Sequence, residues 1–416
     1  MSLATGGRVA TILAFRQSEL LVDHSILTSD EEVRELCAEL ADAPEIAFDT
    51  EFVSEHTYRP ELCLLQVATA KRLVAVDTLQ VRELTPFWEL LASPDRETIV
   101  HAGREEVCFC LEAIGRPPAR LFDVQIAAGL AGFEYPAGYG TLINRLLGKT
   151  LHKRETRTDW RRRPLTPHQI DYAMDDVRDL QRIRNLLHDE LERLGRLEWL
   201  ASETADWLAE LDLSRDRERW RRVSGCSGLS SRELGIVREL WRWREAEAQR
   251  RDLPARRVLR DDLIVELSKR RAADEKQIRA VRGLERSDLQ RLVPGISKAI
   301  AAALALTPDE LPQSVRRESN QHLATVAQFL SSALASICRS ARVAPSLACN
   351  AQDVRDLVSY RLAGGENGSS QEPPLLARGW RAEVIGQMFD DLLKGKLAIR
   401  IKDPLSEDPL SFDRCS

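Results

Sequence analysis

No stretch of this chain approaches the roughly 18 to 20 consecutive apolar residues that a bilayer-crossing helix needs, so a membrane span is excluded. A charged fraction of 30% and a mean hydropathy of −0.31 agree with that. Near the N-terminus "VATILAF" is too short to span, and it lacks a basic segment followed by a small-residue cleavage site. A soluble, cytoplasmic protein is expected. Cys-x-x-Cys pairs are missing as well. The eight cysteines include Cys108 and Cys110 within an expected helix, which argues against a zinc cage or a disulfide framework and for buried free thiols. Short-period repeats are absent. Excess positive charge is absent too: the net charge is −5 and the pI about 5.9, mildly unfavourable for a nucleic-acid partner. The distribution matters more than the sum. Residues 150–163, "TLHKRETRTDWRRR", hold six Lys/Arg against two acids, and residues 238–271 hold eleven against seven. Each is either a local basic surface or a solvated face.

What is present is 416 residues with 43% hydrophobic content, enough for two or three domains with real cores. The first 215 or so residues alternate strand and helix signals. "LLVDH", "EIAFDTEF", "LCLLQVAT", "RLVAVDT" and "ETIVHA" read as strands, and "SDEEVRELCAEL" as a helix opened by a Ser29 to Glu32 capping box. From about residue 228 the strand signals fade, and an all-helical tail is expected. It begins with a Ser230 to Glu233 capping box and Leu234, Val237 and Trp241 at helical spacing. In it "GLERSDLQRLVPGISKAIAAAL" reads as turn, helix, Pro-Gly break, helix. A second block starts near "NQHLATVAQFLSSAL" and contains a flexible loop, "AGGENGSSQEPP". Trp241 and Trp243 are expected to be core or helix-interface residues.

Two acids interrupt the apolar strand "EIAFDTEF". Strand alternation puts Ala47, Asp49 and Glu51 on one face and Phe48, Thr50 and Phe52 on the other. Two carboxylates on one face raise each other's pKa and lose solvation, so either a hard divalent cation sits between them or the strand is an edge whose acids face water. A helix in "LTPHQIDYAMDDVRDLQRI", with Thr166 as N-cap, Pro167 at its first position and Gln169 closing a capping box, places Tyr172 and Asp176 one turn apart on the same face. In "HAGREEVCFC", Glu105 or Glu106 can supply a fourth acid. Four acids and a tyrosine spread over three segments suit a two-metal phosphodiester hydrolase.

These segments resemble the ribonuclease D family of 3′ to 5′ exonucleases, within the DEDD group of the ribonuclease H-like fold. "FDTEF" with "TYRPELCLLQVA" is similar to its first motif, "HAGREEV" to its second, "FDVQIAA" to a connecting segment, and "RTDWRRRPLT" with "YAMDD" to its third. "RELWRWREAEAQRRDLPARRVLRDDLIVELSKRR" resembles the HRDC nucleic-acid-binding domain, and "RGWRAEVIGQMFDDLLKGKLAIRI" its degenerate second copy. The resemblance spans about residues 20 to 405.

It implies an α/β ribonuclease H-like exonuclease domain, with a mixed central sheet flanked by helices, over residues 1–225. An HRDC domain over 226–312 and a second, degenerate HRDC-like domain over 313–416 follow, both all-α. It also implies a metal-dependent 3′ to 5′ exoribonuclease that trims RNA 3′ ends, tRNA precursors in particular, and releases nucleoside 5′-monophosphates. Asp49, Glu51, Glu106 and Asp176 would hold two Mg²⁺ or Mn²⁺ ions, and Tyr172, which places the chain in the tyrosine subclass, would orient the attacking water. His101, Trp160 and Arg161 would contact substrate or pack beside it, and the protein would act as a monomer. One position departs from the family: the second motif has Glu106 where it ordinarily has Asp. A DNA-directed exonuclease of the same chemistry, or an inactive RNA-binding homologue, are the alternatives.

Overall fold

The computed structural model describes residues 25–151, 158–216, 218–314, 321–363, 372–406 and 408–415. The strand expected at "LLVDH" and the "VATILAF" stretch lie outside the described residues, as do residues 152–157 of the basic run and 364–371 of the Gly/Ser/Pro-rich loop.

Strands β1 (Ser25–Leu27), β2 (Glu45–Val53), β3 (Glu61–Ala68), β4 (Leu73–Val76), β5 (Glu97–Val100) and β6 (Leu121–Asp123) form one sheet in the order β1-β4-β3-β2-β5-β6. The sheet is mixed, since β2 and β4 run antiparallel to β3 and the other pairs are parallel. Strand alternation gives it two apolar faces. Phe48, Leu65, Val67, Val74 and Val100 pack under α1 (Asp30–Leu40), α2 (Thr85–Leu91) and α3 (Arg104–Ile114). Ala47, Leu64, Ala68, Ala75 and Ile99 pack under α4 (Val124–Leu130), α5 (Tyr139–Leu147), α6 (Pro167–Arg178) and α7 (Leu180–Arg193), and α8 (Leu197–Asp216) continues that layer.

Helices α9 (Ser231–Arg251), α10 (Ala255–Val258), α11 (Asp261–Arg270), α12 (Glu275–Arg279), α13 (Ser287–Gln290) and α14 (Val293–Leu304) enclose a separate core around Leu240, Ile264, Ile296 and Ile300. The Pro-Gly break expected here does not form. Pro294 sits in the first turn of α14, where its missing N–H has no intrahelical acceptor to lose, and the helix runs on through Gly295. The last block comprises α15 (Gln321–Ser340), α16 (Pro345–Ala348), α17 (Ala351–Leu362), α18 (Gly379–Arg381) and α19 (Gln387–Leu393). The tail is not wholly helical: β7 (Leu397–Ile401) and β8 (Leu410–Arg414) pair antiparallel, with Ile399 opposite Phe412 and both packed on the core.

That last block shares the core of the sheet domain. Leu347, Trp380 and Phe389 belong to the same buried cluster as Ala127, Leu130 and Leu187. Arg381 grips Glu203 with both guanidinium nitrogens at 2.6 and 2.8 Å, and Arg196 donates to the carbonyls of Leu130 and Arg342 at 2.6 and 2.7 Å. Trp199 and Trp380 stack at 5.3 Å.

Candidate active site

Strand β2 carries Asp49 and Glu51 on the face covered by α6. Its pairing with β5 ends at Ala47 opposite Ile99, so beyond that point one edge of β2 is open. The first turn of α3 fills the gap. Ala102, at φ 55°, and Gly103 turn the chain after β5, and their N–H groups donate to the Asp123 carboxylate at 3.1 and 3.0 Å. Asp123 also caps α4 through the Gln125 N–H at 2.8 Å. Gly103 is needed there because a Cβ would lie 2.3 Å from Val100 Cγ2. The turn brings Glu106, 5% exposed, against β2, where its Oε1 accepts from the Thr50 hydroxyl at 2.5 Å. Helix α6 starts at the Thr166–Gln169 capping box and packs on β2, β3 and β4, so Tyr172 and Asp176 face the Asp49 side of the sheet.

The four acids thus meet from three elements, and their electrostatics are those of crowded anions. Burial, then Glu106, Asp176 and Glu51 in that order, hold Asp49 well above the usual carboxylate range. Burial, Asp176 and Glu106 push Glu51 up to about 8. Burial raises Glu106 to about 7 against the hydrogen bond from Thr50, and Asp176 to about 7 against one from Tyr172. Tyr172 is itself raised by burial and by Asp176, Glu51 and Asp49, so its hydroxyl stays protonated and can donate but not act as a base.

The donor set fits hard divalent cations, being all carboxylate oxygen. Among the described residues, no three of these acids bring ligand atoms within 4.8 Å of one another. His188, Asp189 and Glu192 do, but on the solvent-facing side of α7.

Trp160 is buried with its ring 6.2 Å from that of Tyr172, and Arg161 is half-buried and paired with Asp159 at 2.9 Å. His101 Nε2 is 2.8 Å from the Ala137 carbonyl, and its ring lies 5.5 Å from Tyr139. Glu105 is a partly exposed neighbour of Arg104, 3.8 Å away.

Residues 24–192 match the 3′ to 5′ exonuclease family model and residues 233–300 that of the HRDC domain. Ribonuclease D of Gluconacetobacter diazotrophicus is 35% identical over 384 residues, covering 91% of this chain and 95% of the relative. The chain belongs to the ribonuclease D family. A second relative, ribonuclease D of Granulibacter bethesdensis, is 34% identical over 91% of this chain and 94% of its own length. The crystal structure of Escherichia coli RNase D, an exoribonuclease involved in structured RNA processing, superposes with a TM-score of 0.77 at 26% identity, covering 90% of this chain and 99% of that one. The chain is therefore a 3′ to 5′ exoribonuclease, and the fold is one that works with divalent metal ions.

Two residues of this ribonuclease D site have roles that their sequence neighbours do not reveal. Arg163 lies in a run of arginines that reads as either a basic surface or a solvated face, yet its guanidinium pairs with both Asp77 oxygens at 2.6 Å and donates to the Cys63 and Trp160 carbonyls at 2.8 and 2.7 Å. It ties the segment before α6 to the sheet. Asp123, in the connecting segment, holds the turn that aims Glu106; its signal is the "FDVQIAA" resemblance alone.

Proposed function

We propose that this enzyme trims the 3′ ends of structured RNA, tRNA precursors foremost, using two Mg²⁺ or Mn²⁺ ions held by Asp49, Glu51, Glu106 and Asp176. The observation that carries the reading is the meeting of these four carboxylates, Glu106 buried and the other three partly buried, beside a protonated Tyr172. When bound, such ions supply an activated water and charge stabilisation for the leaving oxygen. Glu106 reaches its place through the open edge of β2, with Thr50 fixing one oxygen. Tyr172, whose hydroxyl donates to Asp176, orients the attacking water through its oxygen, with Trp160 backing the ring. Arg161 neutralises phosphate near the scissile end, while His101 supports the site by holding the Ala137 carbonyl. Nucleoside 5′-monophosphates leave one at a time.

The first helical module grips the body of the RNA. Arg256, Arg257, Arg260 and Arg286 line a cavity of about 570 Å³ there, and arginines of this kind are the usual donors to phosphate oxygens. Residues 1–225, 226–312 and 313–416 serve as exonuclease, HRDC and degenerate HRDC-like domains. The enzyme works as a cytoplasmic monomer; among the described residues no helix is long and apolar enough to cross a membrane.

A labelled tRNA precursor with a 3′ extension tests this. In Mg²⁺ or Mn²⁺ the extension should shorten by single nucleotides, releasing 5′-monophosphates, and excess chelator should stop it. Faster digestion of a single-stranded DNA of the same sequence would overturn the RNA assignment. Cleavage that continues in chelator would overturn the metal assignment.

A further inference from the structure

Strand β2 is held unequally along its length. Asp49 lies opposite Gln66 of β3 in regular register, but the register shifts just past Glu51: Glu51 faces Leu64 and Phe52 faces Leu62, which leaves Cys63 as an extra residue at a bulge. On its other edge the pairing with β5 has already ended at Ala47. The ladder therefore fixes Glu51 less firmly than the residues before it. Beyond the bulge, side chains take over. The Phe52 ring meets Phe109 of α3 edge-on at 5.7 Å, and residues 54–60 then lead round to β3.

That loop reaches the first helical module. The Tyr58 N–H donates to Asp252 Oδ1 at 3.0 Å, and the Tyr58 hydroxyl lies 3.4 Å from the Glu245 carboxylate. Its half-buried ring packs against the module's core, which among the described residues otherwise draws on residues from Trp220 onward. Asp252 caps the C-terminus of α9 in a left-handed conformation, φ 48°. Next to Tyr58, Arg59 pairs with Glu112 at 3.6 Å, and Glu112 belongs to α3, the helix that carries Glu106. One short loop thus joins β2 and α3, the elements bearing three of the four acids, to a module with a core of its own.

We propose that Tyr58 is a positioning residue of the exonuclease reaction: anchored on the first helical module, it holds the loop after β2 and through it sets the place of Glu51 at the bulge. The proposal rests on the assignment of Glu51 as a metal ligand. The docked module is then part of the scaffold of the active site, and its docking matters even for a substrate too short to touch it. Misplacing a reacting group by about 1 Å costs up to about 100-fold in rate, and loosening the support of a metal ligand weakens metal binding by about 10- to 100-fold.

The test uses the full-length chain and a short single-stranded RNA, and it reads kcat, KM, the Mn²⁺ concentration for half-maximal turnover, and melting temperature in chelator. Asp252→Gly suits the left-handed backbone and removes the acceptor, Asp252→Asn keeps both backbone and acceptor, and Tyr58→Ala combined with Asp252→Gly removes the whole anchor. The double variant should lose about tenfold in kcat and need about tenfold more Mn²⁺, with KM within about twofold of wild type. Its melting temperature should change little, because both cores remain. Asp252→Gly should fall between the double variant and wild type, and Asp252→Asn should match wild type. A double variant with wild-type kcat and Mn²⁺ requirement overturns the proposal, as does a loss confined to KM. Failure of the double variant to fold overturns it too, since the contact then serves the fold, and so does Asp252→Asn as impaired as Asp252→Gly, since the acceptor is then not what matters. Glu51→Ala separates the two readings: if it turns over like wild type, the ligand assignment is wrong. If it is inactive while the double variant matches wild type, only the positioning role is lost.

Discussion

Glu106 is one methylene longer than the aspartate its motif ordinarily carries, and its helix places that extra length against the open edge of β2, where Thr50 holds one oxygen. Shortening it opens a gap of about 1.5 Å, against a coordination tolerance of about 0.2 Å. Glu106→Asp should therefore be impaired at least tenfold in Mg²⁺ and partly rescued by Mn²⁺. Glu106→Gln keeps the Thr50 bond but loses the charge, and should fall about a hundredfold or more with its melting temperature preserved. Single-turnover assays with both ions check the order, and a Glu106→Asp enzyme as fast as wild type would show that the length is not used. The acids also predict a pH effect. In chelator the folded chain keeps protons on Glu51, Glu106 and Asp176 up to about pH 7 or 8, whereas in the unfolded chain these acids ionise at about pH 4 to 4.5. The stability this lends is fully present below the unfolded values and is lost as pH rises through the folded ones. Melting temperature in chelator should fall by several degrees between pH 5 and 8, and saturating Mg²⁺ should largely abolish the fall. A flat profile in chelator would mean the four carboxylates are farther apart in solution.

Local chemistry made much of the element level legible. The capping boxes at Ser29, Thr166 and Ser230 all form, because each depends on residues three apart in sequence. So did the shared face of Asp49 and Glu51, which strand alternation dictates. What sequence spacing did not reveal depends on distant partners. Gly295, beside Pro294, reads as a helix break, but a Cβ there would lie 2.5 Å from Trp243 Nε1, so the glycine permits a close crossing of α14 and α9. The hairpin of β7 and β8 alternates apolar residues over only five positions per strand, too few to stand out from a helical tail. Arg163 finds Asp77 across 86 residues. A lysine cannot make that two-pronged pair and also reach the Cys63 carbonyl, so Arg163→Lys should loosen the segment leading into α6. We expect a loss of about 1 to 3 kcal/mol in stability by denaturant titration, and a fall in kcat that exceeds any rise in KM. A change confined to KM would place Arg163 in RNA binding instead.

At the scale of the whole molecule, the two helical modules relate differently to the exonuclease domain. The last block completes its core, through Trp380 stacked on Trp199 and Arg381 paired with Glu203, so cutting the chain near residue 225 would uncover that apolar face. The first module keeps its own core and meets the exonuclease domain at Tyr58, whose N–H donates to Asp252 at 3.0 Å and whose hydroxyl is 3.4 Å from Glu245. Its part in RNA binding is therefore better tested by charge than by truncation. Arg256, Arg260 and Arg286 pair with Asp261, Asp262 and Asp288 at 3.1, 2.8 and 2.8 Å, the buried Asp261 being held by Arg244 as well, and Arg257 is exposed beside them. Surface pairs of this kind contribute at most about 1 kcal/mol each, so replacing all four arginines with alanine should change the melting temperature little. If they hold phosphates, affinity for a tRNA precursor falls, and the slope of log K against log salt flattens by roughly 0.7 to 0.9 for each phosphate no longer neutralised. Turnover of a short single strand, which reaches the metals without touching the module, should stay within about twofold of wild type, because no group at the chemical step is altered. A salt slope identical to wild type would remove this cavity from the RNA path. A parallel loss on the short strand would mean that the arginines act on the exonuclease domain through Tyr58 rather than on the body of the RNA.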